Sequence, residues 1–226
     1  VLYVLRCFCD SNLPLCDGAM RQIDLRIPEG LLSPPANPDP EQCAAVVAGN
    51  VETSQRVVDV LLGALGTNDS TQAVFRSIAA SQGTMNNVLM GNDTFGYYET
   101  IGGGCGATVF GSGADAIHSH MTNTRITDPE ILESRLPIRL REFSIRSESG
   151  GLGKHRGGKG VVREFEFLQP LTVSLITSRR TTRPYGAAGG SPGQPGVNVL
   201  IRSGEPAIDL DPATTIDVAP GDRLRI

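Results

Sequence analysis

At 226 residues, with a formal net charge of −4 and 39% hydrophobic residues, the chain is long enough to bury a core in one large domain or two small ones. The acidic balance leaves none of the clustered Lys/Arg excess that nucleic acid or an anionic membrane attracts, and no apolar run approaches the ~20 residues of a membrane helix. The 5 cysteines form an odd set without paired C-x-x-C spacing, which argues against a disulfide framework or a zinc site and sets the expectation of reduced thiols in a cytoplasmic protein.

Taken in chain order, Tyr3 to Cys9 is an apolar, β-compatible run that predicts a strand, with Cys7 and Cys9 on one face. Turn signals at Asn12-Leu13-Pro14 and Asp17-Gly18 precede Ile23 to Ile27, whose alternation predicts a second strand. Pro28 to Pro40 is too rich in proline to donate to a ladder and reads as a loop. Val51 to Leu65 predicts the best helix, with Asn50 as its cap, Gly66 at its end, and Val58, Leu61, Leu62 and Leu65 forming one apolar face. A weaker helix is expected over Thr71 to Ala80, and polar loops from Ser81 to Gly113.

Beyond Pro137 short β-like runs alternate with Gly/Pro turns: Ile138 to Ile145, Val161 to Phe167, Leu171 to Thr177, Val197 to Arg202, Thr214 to Val218 and Arg223 to Ile226. The expected class is α+β, with a helix-containing part over 1–137 followed by a mostly antiparallel β unit over 138–226. Because the chain begins at Val1 without Met and stops directly after strand-like sequence, it is expected to be part of a longer protein.

The densest polar stretch runs from Ala114 to Arg135. On a strand, His118 and His120 would face one side, as two metal ligands or a base beside an electrophile do, with Asp115 or Asp128 as the orienting carboxylate. Paired surface or hydrogen-bonded histidines give the same spacing. Asp128-Pro129-Glu130 reads more simply as the capped start of a short helix that Pro137 stops. Arg125 and Arg135 are left to bind an anion, and Asn123 and Thr124 to line a site or cap a turn.

Three further clusters qualify. Glu99, beside Tyr97 and Tyr98, is a candidate acid/base, against a packing tyrosine pair. The glycine-rich run from Ser149 to Gly160, with Lys154, Arg156 and Lys159, could form an anion-binding nest, but its spacing fits no nucleotide motif and a structural hairpin explains it equally well. Arg179-Arg180 and Arg183-Pro184-Tyr185-Gly186 follow a strand end and could receive a carboxylate. No G-x-S-x-G elbow supports a serine triad.

The runs Ala45 to Arg56, Ser81 to Asn87, Gly96 to Thr100, His118 to Glu130, Ser149 to Gly151 and Arg183 to Gly186 together resemble the hydantoinase B/5-oxoprolinase family, in order and across nearly the whole chain. Cys16 departs from the Asn expected in a Pro-Leu-Asn turn. The resemblance implies ATP-dependent opening of a cyclic amide, 5-oxo-L-proline to L-glutamate, with hydantoins as substrates of related members. It also implies an oligomer in which a hydantoinase A-type domain or subunit binds ATP, and a divalent-metal motif upstream of this chain. His118, His120 and Glu99 are then the expected catalytic groups, with His118 and His120 the metal ligands if one binds here. Asn123, Arg125, Tyr98 and Arg183 are the expected substrate contacts. The alternative is a scaffolding and subunit-interface module without catalytic residues of its own.

Overall fold

The period-2 segments beyond Pro137 fold as strands, as their alternation requires. A computed structural model describes residues 1–8, 14–44, 52–66, 78–83 and 85–226. In chain order they form α1 (Leu2–Phe8), α2 (Asp17–Met20), a 3-10 turn (Pro40–Gln42), α3 (Ser54–Gly66), β1 (Asn86–Asn92), β2 (Phe95–Ile101) and α4 (Pro129–Arg135). Then follow β3 (Ile138–Ile145), β4 (Val161–Phe167), β5 (Leu171–Ile176), β6 (Val199–Ile201), β7 (Ile208–Asp209), β8 (Ala213–Val218) and β9 (Arg223–Arg225). The class is mixed α+β, and the chain divides into two compact units, Val1–Leu61 and Leu62–Ile226.

Two antiparallel sheets make the second unit. One runs β2-β1-β5-β8, the other β3-β4-β9-β6-β7. Because β1 pairs with β5 from Asn87↔Ile176 to Gly91↔Thr172, the first sheet draws strands from both sides of Pro137. Residues two apart share a face, so Val88 and Met90 of β1 and Leu171, Val173 and Leu175 of β5 point one way. They join Phe165 and Phe167 of β4, Leu200 of β6 and Leu224 of β9 in one buried cluster drawn from both sheets. Leu132 of α4 enters the same core. That helix starts as its sequence dictates: the Asp128 carboxylate accepts from the backbone N–H groups of Glu130 and Ile131, and Pro129 takes the first helical position.

Several expectations are corrected. The segment expected as polar loop contains the β1–β2 hairpin, closed at Asn92, whose side-chain oxygen accepts from the N–H and hydroxyl of Thr94. Its period was hidden because Asn86, Asn87, Glu99 and Thr100 are buried although polar. Residues 2–8 are helical rather than extended, since a short apolar run has no period to separate helix from strand. Cys9, and with it the Cys7/Cys9 pair, lies outside the described residues. Residues 23–27 alternate but form no strand, and Arg26 pairs with Asp24 in solvent instead. In α3 the buried positions are Gln55, Val58, Asp59 and Leu62, a face more polar than its leucines suggested. The Asn50 cap and residues 71–77 lie outside the described residues, while residues 78–80 are not helical.

Candidate functional site

The histidine segment is a loop tied at both ends. At its start, Ile117 and Gly103 exchange backbone hydrogen bonds (2.8 and 3.3 Å). At its end Thr127 is held on three sides: its N–H donates to Glu99 Oε1 (2.9 Å), its carbonyl accepts from Arg163 Nη2 (3.1 Å), and its hydroxyl accepts from Tyr97 (2.7 Å). Glu99 and Arg163 form a two-pronged ion pair of 2.8 and 3.0 Å, with side chains 2% and 0% exposed. The Phe143 and Phe165 rings flank the guanidinium at 4.8 and 5.3 Å, favourable faces for a cation. Burial, with the Glu99 charge adding to it, pushes the Tyr97 phenol up to about 12, so it stays a neutral donor.

Between these anchors the backbone is irregular, so the two histidines do not share the face of a strand. His120 sits at φ 52, in the left-handed region, and the Thr122 N–H closes a turn onto the Ser119 carbonyl. His118 is partly buried, its Nε2 3.3 Å from the Thr124 hydroxyl. Asn123, Thr124 and Arg125 are exposed. Asp115 orients no histidine: Arg156 hydrogen bonds and the Lys159 N–H hold its carboxyl below the usual range. Asp128 is committed to capping α4.

A cavity of about 680 Å³ lies in the second unit. Its walls are the glycine-rich segments around Gly104, Gly158 and Gly190, with Arg146, Arg180 and Arg225 also lining it. Backbone hydrogen bonds lace these segments: Cys105 N–H to the Ala114 carbonyl, Gly158 N–H to that of Cys105, and Ala116 N–H to that of Lys159. The approach is so close that a Cβ on Gly158 would collide with the Ala114 carbonyl oxygen. Gly158→Ala is therefore expected to cost about 1–3 kcal/mol through overpacking, read as lost exchange protection at the Cys105 and Ala116 amides.

The arrangement has counterparts among known proteins. The family model described as hydantoinase B/oxoprolinase matches residues 1–226. The chain belongs to the hydantoinase B/oxoprolinase family. It is 46% identical over 226 residues to 5-oxoprolinase 1 of Arabidopsis thaliana and 42% identical over 225 residues to 5-oxoprolinase of Dictyostelium discoideum. Those matches cover 100% of the chain but 17% of each relative, so the chain is a minor part of their length. The crystal structure of ATP-dependent caprolactamase from Pseudomonas jessenii shares the fold, with a TM-score of 0.78 at 23% identity over 99% of this chain and 40% of that one.

Within this family member the structure does not gather the sequence-derived candidates into one place. Glu99, expected as an acid/base, is enclosed in its ion pair with Arg163 and accepts from the Thr127 N–H. The Tyr98 hydroxyl donates to Asn87 Oδ1 (2.7 Å) on the hairpin and accepts from Thr100 (3.1 Å). Arg183 is exposed, and its carbonyl accepts from Arg179, whereas the neighbouring Pro184, Tyr185 and Gly186 line the cavity. Among the described residues no three His, Cys, Asp or Glu side chains form a metal-holding group. No described helix is long and apolar enough to cross a membrane. Sequence reasoning passed over Arg146 and Arg225; the one signal available was an arginine closing the β3 alternation just before the glycine run.

Proposed function

We propose that this chain is the carboxy-terminal part of an ATP-dependent cyclic amidohydrolase that opens 5-oxo-L-proline to L-glutamate, serving glutathione metabolism in the cytoplasm. The observation that carries this reading is the match to the Arabidopsis 5-oxoprolinase over every residue of the chain. A hydantoinase A-type domain or subunit binds ATP and phosphorylates the lactam, and any divalent metal is held upstream of Val1.

Water then supplies the new oxygen on the carbonyl carbon and the phosphoryl group leaves as phosphate; as the ring C–N bond breaks, its nitrogen must gain a proton, and a tethered, partly buried histidine is suited to deliver it. His118 takes that role, with His120, Asn123 and Arg125 on the same loop facing the substrate. The Glu99–Arg163 pair fixes the loop through Thr127 without touching the substrate. The test is ATP turnover by the full-length protein with its A-type part, offered 5-oxo-L-proline, hydantoin and N-methylhydantoin separately. The greatest stimulation is expected with 5-oxo-L-proline; turnover indifferent to all three would overturn the reading.

A further inference from the structure

We propose that the glycine-walled cavity is an oxyanion-binding site in which Arg146 and Arg180 hold the carboxylate or phosphate group of a small organic ligand. Three guanidinium groups reach this cavity from separate segments: the residue after β3, the turn after β5, and β9. Only the last is neutralised. Arg225 pairs with Glu142 at 2.7 Å and lies 3.9 Å from Glu164. Arg146 donates to the Pro195 carbonyl (2.6 Å), and Arg180 to Asn198 Oδ1 (2.9 Å), Asn86 Oδ1 (2.5 Å) and the Ser178 carbonyl (2.8 Å). These neutral acceptors orient the two groups but cancel no charge, and among the described residues neither arginine pairs with a carboxylate.

Burial first, and then the Arg146 charge, pull Arg180 down to about 10, and burial with the Arg225 charge lowers Arg146 as well. An anion entering between them would offset the charge part of both shifts; Arg180 Nε and Nη1 are engaged by Asn198, Asn86 and Ser178, so among the described residues Nη2 is the group left to meet it. The cavity is of small-molecule size rather than that of a bare ion. Apolar side chains of Ile101, Val109, Ile145 and Val161 on its walls suit the hydrocarbon part of an organic anion. Arg125 and Arg183 do not line this cavity, whereas Arg180, one of the arginines expected to receive a carboxylate, does.

The inference rests on the proposed ring opening only for its choice of probes. In the full-length protein with its A-type part, calorimetric titrations without nucleotide would use 5-oxo-L-proline, L-glutamate and inorganic phosphate, beside KM and kcat for the lactam. Arg146→Gln carries the primary test, since that guanidinium makes one hydrogen bond among the described residues and Arg180 makes three. Arg141→Gln, an exposed arginine of β3 paired with Glu166, is the control. Arg146→Gln is expected to weaken at least one anion about tenfold, the effect of losing a charged hydrogen bond, with Arg141→Gln unchanged.

Loss confined to phosphate would assign a phosphate group to the cavity; loss of the lactam or of glutamate, with raised KM and near-constant kcat, would assign a carboxylate. Unchanged affinity for all three anions and unchanged KM, or equal losses in Arg141→Gln, would overturn the site. Anion binding that depends on Arg146, without turnover of any lactam, would sink the ring-opening reading and leave the site standing.

Discussion

Arg163→Met is expected to destabilise the β2–β4 region by about 3–5 kcal/mol, the cost of leaving one partner of a buried ion pair behind. With Arg163 gone, the Glu99 carboxylate would keep the Thr127 N–H and its contact with the Tyr97 phenol but no charge partner, in a site almost closed to water. Glu99→Gln breaks the same pair from the other side and should cost a comparable amount, because it strands the guanidinium between two aromatic rings. Replacing both, as Glu99→Leu with Arg163→Met, should cost clearly less than the sum of the two single changes, since neither charge is then stranded. Native-state hydrogen exchange of the β2 and β4 amides reads this local stability directly. If Arg163→Met left those amides as protected as before, the pair would not be the anchor described above.

The largest loss of activity is expected at His118. Removing a positioned proton donor slows the step it serves by about 10²–10⁴-fold, so His118→Ala should lower kcat for ring opening within that range. His120 has a different setting, because its backbone is left-handed and its neighbours close a turn. His120→Ala should therefore cost less, mainly by disturbing the loop. Asn123→Ala and Arg125→Gln, on the exposed part of the loop, should raise KM more than they lower kcat. A kcat for His118→Ala within a factor of about two of the parent would remove the histidine from the proton-transfer role.

What the sequence revealed and what it hid follow from where its polar residues lie. β3 and β4 are bounded as their alternation predicts, because one face is apolar and their turns are rich in Gly and Pro. The capped helix α4 was equally legible, since Asp128 and Pro129 act within one turn of themselves. The β1–β2 hairpin was hidden by polar residues that the fold buries, Asn86 among them, whose amide donates to the Ile101 carbonyl. Glu99 shows the same limit at the candidate site: a lone carboxylate beside tyrosines reads as chemistry until Arg163, 64 positions later, is seen to enclose it. Of the cavity arginines Arg180 was legible, in its cluster after β5, but Arg146 and Arg225 were not. Arg146, Arg180 and Arg225 meet only because two sheets and three glycine-laced loops bring distant segments together, a juxtaposition that local spacing does not encode.

The most direct measurement is the product balance of the full-length protein, with its A-type part, given 5-oxo-L-proline and ATP. L-Glutamate and ADP should form in equal amounts, both should stop when the lactam is withheld, and both should fall together in His118→Ala. ATP cleavage that continues unchanged without lactam, or that yields no glutamate, would contradict the account.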